Sequence, residues 1–100
     1  MASLQLHALG GSRQFAVHLL EKEQTVLGRS LDCDFVFPSV CFCVAKRHAR
    51  IIRIDDQSFV EDLDSRGGTR VNGAAITGRT LLRSGDKICF TSDLFVQFQE

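Results

Sequence analysis

Val44-Ala45-Lys46-Arg47-His48-Ala49-Arg50-Ile51-Ile52 changes character in its middle, from polar and basic to β-branched. Such a change marks a loop that carries function as it enters a buried strand. Reading outward, Ala49 to Ile54 is predicted as that strand, Asp55-Asp56-Gln57 as a turn, and Phe59 to Leu63 as the strand that returns. Lys46, Arg47 and His48 at the mouth of a strand point to a site for something anionic.

The same two-residue period recurs on both sides. Leu4, Leu6 and Ala8 alternate with Ser3, Gln5 and His7, and the turn formers Gly10-Gly11-Ser12 follow. Phe15, Val17 and Leu19 then alternate with Ala16, His18 and Leu20, which predicts a second strand with the larger side chains on one face and His18 on the solvated one. Thr25-Val26-Leu27 stops at Gly28-Arg29-Ser30. Phe35-Val36-Phe37 is closed by Pro38, the single proline, which cannot donate to a sheet ladder. Downstream, Asn72-Gly73 between Val71 and Ala74 is the strongest hairpin signal, because both central positions of that tight turn need φ > 0. Ser84-Gly85-Asp86 and Ser92-Asp93 are further turns, and Leu94, Val96 and Phe98 alternate with Phe95, Gln97 and Gln99. No stretch carries a helical period. Many short strands separated by regular turn signals predict an all-β sandwich or barrel.

Composition narrows the class. One hundred residues make a single domain over 1–100. An apolar share of 44% with no run of transmembrane length predicts a soluble, globular chain that does not engage a membrane. Twelve basic and twelve acidic residues cancel, and a neutral chain without aromatics interleaved among its charges argues against nucleic-acid binding. Met1 is followed by no basic-then-apolar leader, so an intracellular (cytoplasmic) setting is expected. In that setting Cys33, Cys41, Cys43 and Cys89 are expected as reduced thiols. Cys41-x-Cys43 lacks a second ligand pair at zinc spacing, so neither a metal nor any other cofactor is expected.

Taken in order, Leu27-Gly28-Arg29-Ser30, Asp34, Lys46-Arg47-His48-Ala49, Asp62-Leu63-Asp64-Ser65-Arg66-Gly67-Gly68-Thr69, Val71-Asn72-Gly73 and Leu82-Arg83-Ser84-Gly85-Asp86 resemble a forkhead-associated (FHA) domain. Each motif alone is weak; their order and spacing are specific, and the resemblance runs from Leu4 to Phe98. It implies a two-sheet sandwich of about eleven short strands of the FHA and SMAD-like kind. It also implies a non-catalytic module, monomeric or appended to a larger protein, whose loops at one end bind phosphothreonine peptides. By the same resemblance Arg29 matches the phosphate-binding arginine, and Lys46 falls where many members place a cation on the phosphate. Arg66, Arg47 and Ser65 complete the candidate phosphopeptide site. Gly28, His48, Asp62, Gly68, Thr69, Asn72 and Gly73 are implied as structural support of the binding loops.

Two positions depart from the family pattern. Its Ser-x-x-His reads Ala45-Lys46-Arg47-His48, so the hydroxyl that donates to phosphate is missing. Its Ser-x-Asn-Gly-Thr reads Ser65-Arg66-Gly67-Gly68-Thr69, so the amide that holds the peptide backbone is missing as well. A hydrogen bond to a charged group contributes about 1.5–3 kcal/mol, so each loss costs roughly tenfold or more in affinity unless another cation compensates. Arg66, in the same loop, is the candidate for that.

These losses keep an alternative open, a degenerate module that binds a protein partner independently of phosphate. The apolar connection Val40-Cys41-Phe42-Cys43-Val44 is its candidate surface. Val44 is expected to pack inward; for Phe42, core packing and partner anchoring stand side by side. An enzyme built on Cys41 or Cys43 with His48 and Asp62 is the weakest reading, because Asp62 and His48 fall where the family uses them for architecture.

Overall fold

The computed structural model of the chain describes residues 2–8, 14–38, 41–91 and 94–100. The Gly10-Gly11-Ser12 and Ser92-Asp93 turns, and Ser39 and Val40 of the apolar connection, lie outside the described residues, as do the side chains of His7, Phe15 and Val17. Eleven strands are found: β1 (Ser3–Ala8), β2 (Gln14–Leu19), β3 (Gln24–Gly28), β4 (Phe35–Val36), β5 (Ala49–Ile54), β6 (Gln57–Asp62), β7 (Arg70–Val71), β8 (Ala74–Ala75), β9 (Thr80–Leu82), β10 (Lys87–Thr91) and β11 (Leu94–Gln99). They form a six-stranded sheet in the order β2-β1-β11-β10-β7-β8 and a five-stranded sheet in the order β4-β3-β5-β6-β9. The fold is an all-β sandwich of two sheets.

The period-two pattern decides which face of each strand is inside. Leu4 and Leu6 of β1 lie opposite Phe98 and Val96 of β11, and all four are buried. Leu27, Ala49, Ile51 and Val60 answer them from the second sheet. Burying a side chain of this size contributes about 1.5–3 kcal/mol, so a one-residue slip in either sheet would forfeit several such terms at once. Asn72 and Gly73 both have positive φ, 52° and 89°, and close β7 onto β8 as the turn chemistry requires. The Asn72 side chain also ties that hairpin to the rest of the sheet: its amide donates to Asp86 Oδ1 at 3.0 Å and its carbonyl accepts from Lys87 N–H at 3.0 Å.

One expected face is reversed. Leu19, predicted inside with Phe15 and Val17, is half exposed, while Leu20 is buried at 1%. His18, predicted outside, lies edge-on to Phe35 with ring centroids 5.7 Å apart. The cause is local: Leu20 N–H donates to Ala2 O at 2.9 Å, which anchors the end of β2 and turns Leu20 to the core. Strict alternation then carries His18 to the same side. Both faces end on a leucine, and at that end the backbone bond to Ala2 rather than the pattern decides which one is buried.

The core also reaches toward the loops through stacked rings. Phe35 meets Phe37 at 5.1 Å between centroids, Phe37 meets Phe90 at 4.8 Å, and Phe90 meets His48 edge-on at 4.7 Å. Edge-on contacts of this kind add to the area buried. They make His48 the point where the hydrophobic core becomes the floor of the loop end.

Candidate functional site

Three connections gather at one end of the sandwich: residues 29–34 after β3, residues 37–38 and 41–48 before β5, and residues 63–69 after β6. The first two are joined through their backbones. Arg29 N–H donates to Ala45 O at 3.1 Å and Ser30 N–H to Lys46 O at 3.0 Å. This closeness is why residue 28 is glycine: a Cβ there would sit 2.1 Å from Lys46 O and 2.9 Å from Cys33 Sγ.

His48 joins the second connection to the third. Its Nδ1 accepts the Ala45 N–H at 3.0 Å, which leaves Nε2 carrying the hydrogen and donating to Gly68 O at 2.8 Å. Burial depresses its pKa below the ordinary value, outweighing the bond to Gly68 and the charge of Asp62, and so keeps the ring neutral. The third connection is folded around Asp62. Its Oδ1 accepts from Ser65 Oγ at 2.5 Å and Thr69 Oγ1 at 2.6 Å, and its Oδ2 accepts Ser65 N–H at 2.9 Å. Burial raises the Asp62 carboxyl, but those hydrogen bonds outweigh it and hold the group below the usual carboxylate range. Gly68, at φ 74°, makes the sharp turn that presents its carbonyl to His48.

On this floor the cations separate into two groups. Arg29 and Arg66 line a single cleft of about 350 Å³ together with Phe42, Cys43, Val44, Ala45 and Gly67. Arg29 is held there through its Nε, which donates to Val44 O at 2.5 Å. Among the described residues neither guanidinium meets a carboxylate, and no acidic side chain lines the cleft. Lys46 is exposed on the neighbouring turn, outside the cleft wall.

Arg47 and Ser65, two of the expected binding residues, make contacts within the chain. The Arg47 guanidinium reaches Asp32 at 2.9 Å, and the Ser65 hydroxyl proton is given to Asp62. Both are occupied within the chain.

The apolar connection divides as well. Val44 is fully buried, Cys41 packs partly against the core, and Phe42 projects with 83% of its surface exposed at the rim of the cleft. Val44 packs inward as expected, and Phe42, left open by the sequence, turns outward; the Val44 N–H bond to Cys41 O at 3.0 Å and the Arg29 bond to Val44 O hold this part of the connection. Two further features went unread in the sequence. Asp32 takes up Arg47, and Arg70 of β7 lines a second cleft beside Gly67. A lone arginine in a two-residue strand offers nothing by which to find it.

The constellation does not suit thiol chemistry. Both ring nitrogens of His48 are committed to backbone groups, so the ring has no free position for a cysteine proton. Burial pushes the Cys41 thiol up, away from the thiolate form.

These features meet those of known proteins. The family model of the FHA domain matches residues 25–91 of the chain, which therefore belongs to the FHA family, a family of binding modules rather than enzymes. Among solved structures the chain is similar to an FHA domain studied for phosphothreonine-dependent interactions, at a TM-score of 0.78 and 26% identity over 98% of this chain and 96% of that one. It is similar to EmbR of Mycobacterium tuberculosis in complex with a low-affinity phosphopeptide, at a TM-score of 0.75 and 29% identity over 99% of this chain and 24% of that one. It is also similar to the FhaA FHA domain bound to the intracellular domain of another protein, at a TM-score of 0.77 and 27% identity over 97% and 100%. No curated protein sequence matches the chain significantly. Among the described residues, no helix is long and apolar enough to cross a membrane.

Proposed function

We propose that the domain binds phosphothreonine-containing segments of partner proteins at the loop end, with Arg29 and Arg66 on the phosphate and Lys46 adding charge from the rim. The observation that carries this reading is that Arg29 and Arg66 line one cleft with no carboxylate in its wall among the described residues. A phosphothreonine brings nearly two negative charges and three acceptor oxygens, which a pair of planar five-donor forks suits. The similar FHA structures solved for phosphothreonine-dependent interaction and with a phosphopeptide support the same ligand class. Arg66 supplies a cation beside the position where the family amide is replaced by Gly67. The hydroxyl lost at Ala45 has no replacement in the cleft wall other than charge, so binding is expected to be weak.

Titrating the domain with one peptide in phosphorylated and unphosphorylated form tests the reading by chemical-shift perturbation or calorimetry. Saturable binding of the phosphopeptide alone is expected. Equal perturbation by both peptides would overturn it. A second, phosphate-independent reading rests on Phe42, whose ring stands 83% exposed at the same cleft. Under that reading Phe42→Ala removes partner binding and Arg29→Ala leaves it intact; the phosphate reading requires Arg29.

A further inference from the structure

The outer faces of the two sheets differ in kind. On the six-stranded sheet Ser3 lies opposite Gln99, and Gln5 and Lys87 flank Gln97, so that side is polar. Where it carries a ring, Phe95, the Lys87 ammonium lies over it at 5.0 Å. On the five-stranded sheet the register instead lines up Ile52, Phe59 and Leu81 across β5, β6 and β9. Alternation puts this row outside, because the neighbouring Ile51 and Val60 are buried in the core. Ile54 extends the row along β5; it is 39% exposed and Leu81 38%. Gln24 and Gln57, paired with Ile52 and Ile54, give the row a polar rim. Outward strand positions are ordinarily polar, so an apolar row three strands wide marks a surface for a partner.

We infer that this face packs against the same face of a second copy of the chain, with the strands of the two copies running in opposite directions. The inference is independent of the phosphate reading.

Charge selects both the partner and the direction. Beside the row, toward the loop end, Arg50 and Arg79 share Glu61 at 2.7 and 3.0 Å, which leaves one net positive charge. At the other end the turn between β5 and β6 is Asp55-Asp56, both exposed. Among the described residues neither carboxylate meets a cation within ion-pair distance. Arg53 pairs with buried Ser58 and belongs to the inner side, and Arg83, just past β9, offsets only one of the two carboxylates. The face is therefore basic at one end, apolar in the middle and acidic at the other. A twofold axis lying between two such faces and across the strands sets each acidic turn against the other copy's arginine end. An axis along the strands would set like ends together. The acidic turn is a fixed one, with φ values of 51° and 66° that a tight hairpin needs. Three strands span only about 10 Å, so the pair is weak, with an expected Kd of about 0.1–1 mM. The loop ends of the two copies then point in opposite directions, and both Arg29–Arg66 clefts stay open.

Sedimentation equilibrium of the 100-residue chain up to about 2 mM, with amide chemical shifts followed over the same range, tests the pairing. The mean mass is expected to rise from one chain toward two, with shifts moving on β5, β6 and β9. Leu81→Gln, at an exposed position, is expected to weaken association about tenfold and leave the urea midpoint unchanged. Asp55→Lys with Asp56→Lys in one chain, and Arg79→Glu in another, each weaken self-association. Mixed in equal amounts, these two variants are expected to associate more tightly than either does alone, because every end then meets its opposite. A mass of one chain at every concentration overturns the inference, as does association undiminished in Leu81→Gln. A mixture that associates no better than its components overturns the opposed arrangement. Concentration-dependent shifts confined to the edge strand β2 or to the loop end would place self-association elsewhere and overturn it too.

Discussion

Arg50 and Arg79, beside the outer face of the five-stranded sheet, carry the same guanidinium as Arg29 and Arg66 at the loop end, but in opposite surroundings. Glu61 sits between the first pair, its Oε1 2.7 Å from Arg50 and its Oε2 3.0 Å from Arg79. The hydrogen bonds from Arg50 and then Arg79 hold the Glu61 carboxyl below its ordinary range. Arg29 and Arg66 share a cleft with no carboxylate in it among the described residues, and Arg29 donates to the backbone carbonyl of Val44. A chain with no net charge can therefore still present a focused positive end, because what matters for an anion is which cations are already answered.

The contrast can be broken most forcefully through the backbone that holds the loop end together. Gly28→Ala drives a methyl group into Lys46 O and is expected to cost about 3 kcal/mol or more, read from the urea midpoint, since backbone on both sides cannot yield as a side chain can. A shift below 1 kcal/mol would mean that the two connections are not locked against each other. Next in size, Arg29→Ala is expected to weaken phosphopeptide binding about 10- to 100-fold, while Arg79→Ala leaves it unchanged and alters stability by less than about 1 kcal/mol. Equal losses from both would erase the distinction between answered and unanswered cations.

The site can also be strengthened. Gly67→Asn and Ala45→Ser restore the amide and hydroxyl of the family pattern, and each is expected to raise phosphopeptide affinity about tenfold. The cleft has room for the first, with 4.0 Å to the nearest atom from the new Cβ. Failure of both to improve binding would mean the peptide does not lie over these positions.

Acid probes the supports rather than the cations. His48 is depressed by burial, so as pH falls below the ordinary histidine value of about 6.5 the unfolded chain takes up the proton first and stability declines. Asp62 is raised by burial but held lower overall by its hydrogen bonds, so its contribution is present above the ordinary value of about 3.9 and is lost as pH falls further. Two successive declines in the urea midpoint are expected, and Asp62→Asn should reduce the second, leaving the part that comes from other carboxylates held low, such as Asp34 and Glu61. The smallest effect is expected from Asp32→Asn, which releases Arg47 from an exposed ion pair. A gain in phosphopeptide affinity of about twofold, confined to low salt, would place Arg47 within electrostatic range of the site. No gain would place it outside.

Legibility followed the physics of each feature. The β5–β6 pair and the Asn72-Gly73 hairpin could be read directly, because burial alternates every second residue and tight turns admit few residue types. His48 and Asp62 could be assigned as supports through the family pattern, and both spend their polar atoms on the loops. The face of β2 could not be read, since Leu19 and Leu20 are equally apolar and one backbone bond to Ala2 decides between them. Nor could the fates of Arg47 and Ser65, which depend on Asp32 and Asp62 lying within reach.

Short-range chemistry was enough to settle the β5–β6 pair and the Asn72-Gly73 hairpin, and the order of the motifs resembled the family that the comparison shows. The pair and the hairpin follow from period and φ preference, which a linear string contains. Which cations of the loop end pair with a carboxylate, that Phe42 projects, and that Gly67 lies in the wall of two clefts were decided only when separate connections came together. Each depends on distances between residues far apart in sequence, and folding alone sets those.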